Sequence, residues 1–462
     1  MIKLRHQQPT LWASFLAEEV DDLWEPWMRF ADQLLEDEQL LETIYEAQAH
    51  RHERSRTFGR PQTPAEVALR MLLLKHVRNW SFEELEREVR ANLVYRSFCR
   101  IGTEKVPDAK TLGRLARALG SEVIRQLHER LVELARENRV VRGRRLRVDT
   151  TVVETNIHYP TDSTLLGDGT RVLTRTMKKI ERKAGGLKRR VRNRMRSVNK
   201  RVLAIALASR QKGPQGEERR KKHYRELLTL TRRIVNQARR VFAEVKTRRR
   251  ADLRKLREQL AIMTDRVRQV IRQAKARVFG GDTKMPGKIV SMFEPHTEII
   301  RKGKASKPTE FGKMVKIQEA ENQIITDYQV FEARPNDSDL LVSSVQRHQE
   351  CFGRTPDLVA ADAGFYSSAN EGRLEERGVR RISVPNRNTR SETRRRLQKS
   401  RWFREGQRWR TGCEGRISVL KRRHGLRRCL YRGAEGMRRW VGLGVIADNL
   451  IHIGTRLAMQ CQ

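Results

Sequence analysis

The sequence predicts an α/β protein in three parts: an all-helical N-terminal region, a mixed-sheet core, and a basic helical segment that interrupts that core. Three observations carry this. Apolar residues recur at helical spacing, with capping residues between them, over about the first 140 positions. Alternating text rich in β-branched residues begins at position 144 and returns after position 287. Between these, residues 176–277 hold 35 Lys/Arg against 8 Asp/Glu, a net of +27, with leucines at helical spacing. A chain of 462 residues has room for two to three domains at about 150 residues each. The boundaries expected are 1–140 for the helical domain, 144–175 with 278–458 for the split α/β domain, and 176–277 for the insertion.

The elements follow in order. Residues 11–27 carry Leu, Phe, Val and Trp at helical spacing, and 65–77 are strong helix formers. Ser81 with Glu84 forms a capping box for the next helix. Asp108 can cap a helix reaching Leu119, with Gly120 as its stop, and Ser121 can cap a longer helix through Leu134. Short helices in tandem fit a helix-turn-helix-like DNA-binding unit and a generic bundle equally. Residues 144–157 read as a strand, followed by a polar, glycine-containing loop to about Thr174. The basic segment is broken at Gly213-Pro214-Gln215-Gly216 and reads as two or three long helices, including an antiparallel pair. Its charge suits a phosphate backbone or a solvated hairpin.

Strands are expected at 288–293, 315–319 and 324–331. Asn336 to Asp339 look like a cap for a helix over 340–351. Residues 357–362 read as a short buried strand ending in an acid. A short helix over 371–377 and a strand over 380–384, stopped by Pro385, come next. Residues 390–410 read as basic and irregular, 413–424 as helix, and 437–457 as a final apolar helix.

Lys+Arg is 98 against Asp+Glu 56, a net charge of +42, with a pI near 11.1. Such an excess implies a polyanionic partner, by default nucleic acid. No run of about 18 apolar residues is present, and the opening residues carry no signal-like core. The five cysteines are scattered without a CxxC pair, which speaks against a disulfide framework or a zinc ribbon. The expectation is a reduced, intracellular, soluble protein without membrane contact. No GxxxxGK[ST] loop or GxSxG elbow is found. His50-Arg51-His52 has an arginine where a His-hydrophobic-His pair needs an apolar residue.

Three acids stand out. Asp149 lies in the first strand, on the face opposite Val148. Asp362 ends a short apolar strand and Gly364 follows it. Glu414 sits on a basic helix between Arg410 and Lys421. Carboxylates at strand ends from distant parts of a chain suit a divalent cation that leaves positions open for water and phosphate oxygens. Two such ions can activate an attacking hydroxyl and stabilise a leaving oxygen in phosphoryl transfer. Each acid also has a plain structural role open to it: Asp149 paired with Arg147, Asp362 capping the next turn, Glu414 in helix ion pairs with Arg410 or Lys421.

At these residues the chain resembles a DDE-type insertion-sequence transposase with an RNase H-like catalytic core, in particular the bacterial ISNCY-like group. Residues 148–163, VDTTVVETNIHYPTDS, are similar to the family's first-aspartate block. Residues 361–367, ADAGFYS, are similar to its second. Arg410-x3-Glu414-x6-Lys421 fits the family's spacing around the catalytic glutamate and puts the three side chains on one helical face. The related signature has a Tyr three residues before the Arg; here Gln407 stands there, with Trp409 close by. Residues 80–85, 95–98 and 107–112 resemble the helical domain ahead of many such enzymes.

The resemblance implies Asp149, Asp362 and Glu414 as catalytic ligands of two Mg²⁺ ions, with Mn²⁺ as a substitute. It implies Arg410 and Lys421 as DNA contacts. Trp402 and Trp409 are open to base stacking or to core packing. The implied reaction is cleavage at terminal inverted repeats and joining of the 3′ ends to target DNA. A homodimer on DNA, in the bacterial cytoplasm at the nucleoid, would carry it out. The rival expectation is a non-catalytic nucleic-acid-binding protein, or a decayed transposase that only binds DNA. An RNase H-like nuclease without strand transfer is a third.

Overall fold

The computed structural model describes residues 1–5, 18–50, 55–57, 62–246, 250–301 and 309–461. Residues 11–17 of the expected helix over 11–27, and Arg51 and His52 of the His-Arg-His triplet, lie outside the described residues; residues 18–27 are not one helix, since a 3-10 turn at Asp21–Leu23 breaks off before the helix that starts at Pro26. The chain divides into two compact units, one of residues 1–156 with 300–462 and one of residues 157–299.

The first unit opens with helices α1 (Pro26–Leu34), α2 (Glu38–Ala49), α3 (Ala65–Arg78), α4 (Phe82–Ala91), α5 (Leu93–Phe98), α6 (Ala109–Ala118) and α7 (Ser121–Glu137). The capping box of α4 is present as expected, with Ser81 and Glu84 bonding reciprocally. Asp108 caps α6 by accepting from the Thr111 amide. One cap is different. Gly120 is the N-cap of α7, and Ser121 lies inside the helix and donates its hydroxyl to Glu435 at 2.7 Å. The expected stop at Gly120 is therefore a start, because α6 already ends at Ala118.

Strand β1 (Arg145–Thr155) follows. The second unit then carries α8 (Asp162–Lys183), α9 (Met195–Ala208), α10 (Pro214–Val245) and α11 (Ala251–Gly280). The glycine-containing loop expected up to Thr174 is in fact most of α8. Thr161 and Thr164 form its capping box, and Leu165, Leu166, Leu173, Met177 and Ile180 bury one face. Tertiary burial overrides the low helix propensity of Gly167 and Gly169. The break at Gly213 is present, with Pro214 in the first turn of α10, where its missing N–H has no helical partner to lose. The unit has its own core from all four helices. Residues 176–277 hold the long helices expected, α10 and α11, with α9, and α8 packs with them to make four.

The remaining elements are β2 (Glu298–Arg301), β3 (Thr309–Glu319), β4 (Ile325–Val330), α12 (Leu341–Phe352), β5 (Leu358–Ala361), α13 (Ser368–Glu376), β6 (Arg381–Ser383), α14 (Glu392–Lys399), α15 (Arg401–Arg423), β7 (Arg428–Cys429) and α16 (Gly433–Gln460). Two expectations fail. Residues 288–293 form no strand. Residues 390–410 are helical in α14 and most of the first half of α15, not irregular.

The sheet is mixed. Its order is β2-β3-β1-β5-β6, with β4 also on β3 and β7 on β1. Central β1 runs antiparallel to β3 and parallel to β5, and β5 is parallel to β6. Side chains alternate across the sheet, which sorts the layers. Leu146 and Val148 join Leu341, Val345 and Leu374 of α12 and α13 on one face. Val153, Val315 and Ile317 join Leu420 of α15 and Trp440 and Val441 of α16 on the other. The N-terminal helices share a continuous core with Leu443, Ile446, Ala447, Leu450 and Ile453 of α16. This is why they fall in one compact unit with the sheet. No described helix is long and apolar enough to cross a membrane.

Candidate functional site

The strand register places the first two acids. Val148 of β1 pairs with Ala361 of parallel β5. One step further along both strands stand Asp149 and Asp362, and Asp362 keeps an extended backbone (φ −73°, ψ 163°). Neighbouring strands are about 4.8 Å apart and in-register residues share a face, so the two carboxylates leave the sheet side by side. Asp149 lies on the Arg147 face of β1, the face that α15 covers. Its side chain is 18% exposed and accepts from the Thr150 amide at 2.7 Å. Asp362 is more open and takes a 3.3 Å contact from Arg387. It stands at the start of a turn without capping it through its side chain.

Glu414 reaches this face from α15, and three tethers fix that helix. The Gln407 amide donates to the carbonyls of Ala361 and Ser383 and to the Ser383 hydroxyl, which ties α15 to the ends of β5 and β6 next to Asp362. The Arg147 guanidinium donates to the Trp409 carbonyl and lies over the Trp409 ring at 4.9 Å. Arg416 reaches Asp448 of α16 at 2.9 Å and also donates to Gln323. Gly412 is required by the second tether, since a Cβ there would overlap the Arg147 guanidinium. The position occupied by a tyrosine in the related signature thus holds an amide that positions a helix. Trp409 packs on Arg147, and Trp402 packs edge-on against Phe403 beneath Arg381.

Arg147 does not pair with Asp149. Its partner is Glu319, directly opposite on β3, with both side chains essentially buried. Burial raises the Glu319 carboxyl above its usual range, against the pull of Arg147. Cys413, beside Glu414, is also buried, and its thiol is pushed well up by burial and then by Glu319 and Asp149.

Arg410 stands between the acids. It is 2.9 Å from Glu414 and 3.9 Å from Asp149, and its Nε is buried without a hydrogen-bond partner. Two of the three acids thus converge on one cation, here a guanidinium. Asp362 is beside Asp149 but paired elsewhere. Among the described residues, no three His, Cys, Asp or Glu side chains are gathered closely enough to hold a metal ion together. Lys421 lies two turns beyond Glu414 on the same helix.

One acid at the site was read from sequence only as part of a helix cap. Asp337 accepts from the Thr150 hydroxyl at 3.0 Å, and a Cβ on Gly364 would stand 3.3 Å from its other oxygen. It therefore borders the turn after Asp362, from the Val148 face of β1 rather than the face of Asp149. No spacing in the sequence marks it, because the approach depends on how α12 packs against β1.

Two family models and a relative match parts of the chain. Residues 22–118 match a family model described as a transposase domain (DUF772), covering α1 to α6. Residues 374–453 match a transposase DDE domain, which includes Arg410, Glu414 and Lys421 but neither Asp149 nor Asp362. An uncharacterized protein, ORF8 in the nfe locus of Rhizobium meliloti, is 31% identical over 130 residues, 27% of this chain and 63% of that protein. No solved structure matches. The two family matches, one before β1 and one after β5, support a DDE-type insertion-sequence transposase.

Proposed function

We propose that this protein is a DNA transposase that cuts at the terminal inverted repeats of an insertion sequence and joins the freed 3′ ends to target DNA. The observation that carries the reading is the register: Asp149 and Asp362 leave adjacent parallel strands side by side, under a helix that brings Glu414 to the same face. A sheet whose central strand is antiparallel to one neighbour and parallel to the other, with helices on both faces, supports an RNase H-like core.

The donor set fits a hard divalent ion, since it offers carboxylate oxygens only, and Asp149 and Glu414 already share a cation. Asp149, Asp362 and Glu414 would hold Mg²⁺, or Mn²⁺ in its place, which supplies activation of the attacking oxygen and neutralisation of charge at the scissile phosphate. The chain's own groups do the rest. Arg410 exchanges Glu414 for a DNA phosphate, which also satisfies its orphaned Nε. Lys421 meets the next phosphate along. Gln407, Arg147 and Arg416 hold α15 against the sheet while this happens. The net charge of +42 draws DNA to the protein. The N-terminal helices read the repeats, two copies bring the two ends together, and the reaction takes place at the nucleoid.

A rival reading, a protein that binds the ends without cutting, is favoured by one observation: the three acids are not gathered as they stand. Cleavage of labelled linear DNA carrying the element ends decides between them. The expected result is nicking at the ends with Mg²⁺, none with EDTA, and loss of nicking but not of binding in Asp362→Asn. Tight binding with no cut in Mg²⁺ or Mn²⁺ would overturn the transposase reading in favour of the binder.

A further inference from the structure

The second unit carries a strongly basic loop whose placement is fixed rather than left to solvent. Between α8 and α9, residues 187–194 read LKRRVRNR. Val191 is buried in the core of the unit. Its amide donates to Glu181 of α8 at 2.7 Å, and the Lys188 amide donates to Glu244 of α10 at 2.7 Å. Two carboxylates beside this loop are thus engaged by the main chain. The loop ends at Arg194, which lies across α10 and donates to Gln237 at 2.9 Å. Gln237 stands between Arg233 and Arg240, which are seven residues apart and so on one face, about 10.5 Å apart along the helix. Arg192, Arg233 and Arg240 are exposed. Among the described residues no acid is ion-paired with any of these four arginines.

Gathering four guanidinium groups with no acid ion-paired to them is unfavourable in the free protein. Burial and the charges of Arg192, Arg233 and Arg240 lower the Arg194 pKa accordingly. Some arginines elsewhere in the unit are compensated locally, as in Arg254–Glu258, Arg268–Asp265 and Arg171–Asp168. The uncompensated cluster is a surface for a polyanion with regularly spaced charges.

We propose that the 187–194 loop and the Arg233–Arg240 face of α10 form a phosphate-backbone clamp that holds duplex DNA without reading its sequence. Arg194, fixed by Gln237, sets the spacing, and Arg192, Arg233 and Arg240 contact successive phosphates. The proposal rests on the transposase reading for its choice of DNA as the polyanion, but it involves none of the acids of the sheet.

The test uses the full chain, a 30-base-pair duplex lacking the element ends, and binding measured over a series of salt concentrations. Arg233→Gln with Arg240→Gln removes two phosphate contacts. A control with the same loss of charge, Arg254→Gln with Arg268→Gln, removes two paired arginines. Each phosphate contact contributes about −0.9 to the slope of log K against log salt. The clamp variant should therefore lose about 2 from the slope and bind roughly tenfold more weakly at low salt. The control should stay within about twofold, and far-UV circular dichroism should be unchanged in both. An unchanged slope in the clamp variant, or equal effects in both variants, would overturn the clamp and leave the transposase reading standing. Wild-type protein that ignores DNA but binds anionic vesicles would overturn both.

Discussion

Replacing Arg147 with Met tests whether the site is built on the buried ion pair of β1 and β3. Glu319 is fully buried and Arg147 nearly so. Removing the guanidinium leaves an uncompensated carboxylate in the core, for which about 3–5 kcal/mol is typical. The lost bond to the Trp409 carbonyl adds about 1 kcal/mol. These terms overlap, so about 4 kcal/mol is expected from a total stability of the order of 5–15 kcal/mol. The sign with pH follows from Glu319. Its carboxyl is raised in the folded state by burial, so its ionisation opposes folding, and stability falls as pH rises from the unfolded toward the folded pKa. Without Arg147 the carboxyl rises further, and the loss in Arg147→Met should be larger at pH 8 than at pH 5.

None of the seven tryptophans falls in residues 157–299, and the described ones lie in the unit that contains the sheet. Urea unfolding followed by Trp fluorescence therefore reports the relevant unit. The decisive comparison is Arg147→Met with Glu319→Leu, which removes both charges. It should recover to within about 1–2 kcal/mol of wild type, because replacing a buried pair by apolar groups is often near neutral. A single variant that loses under about 1 kcal/mol, or a double variant no better than the single, would refute the reasoning.

Gln407→Glu cannot donate to the Ala361 and Ser383 carbonyls, so it should lose about 2 kcal/mol and more than Gln407→Ala, read by the same unfolding. Gly412→Ala should cost about 1–3 kcal/mol by overpacking against Arg147. Gly415→Ala, with open space around it, should instead stabilise α15 by up to about 1 kcal/mol; thermal melts of the pair check the contrast. His452 is held low, at about 4, mainly by burial. Its contribution is therefore present above pH 6.5 and lost as pH falls toward 4, about 3 kcal/mol in all. His452→Gln should flatten the acid limb of stability against pH, measured by urea unfolding at a series of pH values.

The elements legible in the sequence are those whose signal is local. The Ser81–Glu84 box, the Asp108 cap, the β-branched run of β1 and the short apolar β5 each carry their cause within a few residues. The elements that were not legible owe their structure to distant partners. The first half of α15 is so rich in arginine that it reads as irregular; it buries only Phe403 and Gly406, and Gln407 and the Trp409 carbonyl hold it to strands far away in sequence. In α8 the glycines suggest a loop, and packing within the helical unit decides otherwise. At the candidate site, Asp362 is legible as the acid that follows a short apolar strand, Asp149 as an acid within a strand and Glu414 as an acid within a basic helix. The Arg147–Glu319 pair was not, since it needs the antiparallel register of β1 and β3. Asp337 was visible only as part of a cap.

The ion pairs beneath and upon α15 differ in stiffness, and on the proposed reading that difference is functional. Arg147–Glu319 and Arg416–Asp448 are buried, and breaking either would strand a charge in the core. Arg410–Glu414 is different. Glu414 is 57% exposed, so the pair contributes under about 1 kcal/mol, and Arg410 keeps an unsatisfied Nε while it holds. A phosphate offers that guanidinium a charge-assisted, bidentate bond that Glu414 does not fully supply. The three tethers fix the backbone of α15 through residues 407, 409 and 416, and leave the side chains at 410 and 414 the cheapest to rearrange. DNA would therefore release Glu414 toward Asp149 and Asp362 by taking Arg410 away, with no movement of the helix. The close Arg410 position in the free protein is then a neutralising contact for acids that would otherwise repel one another and the incoming phosphates.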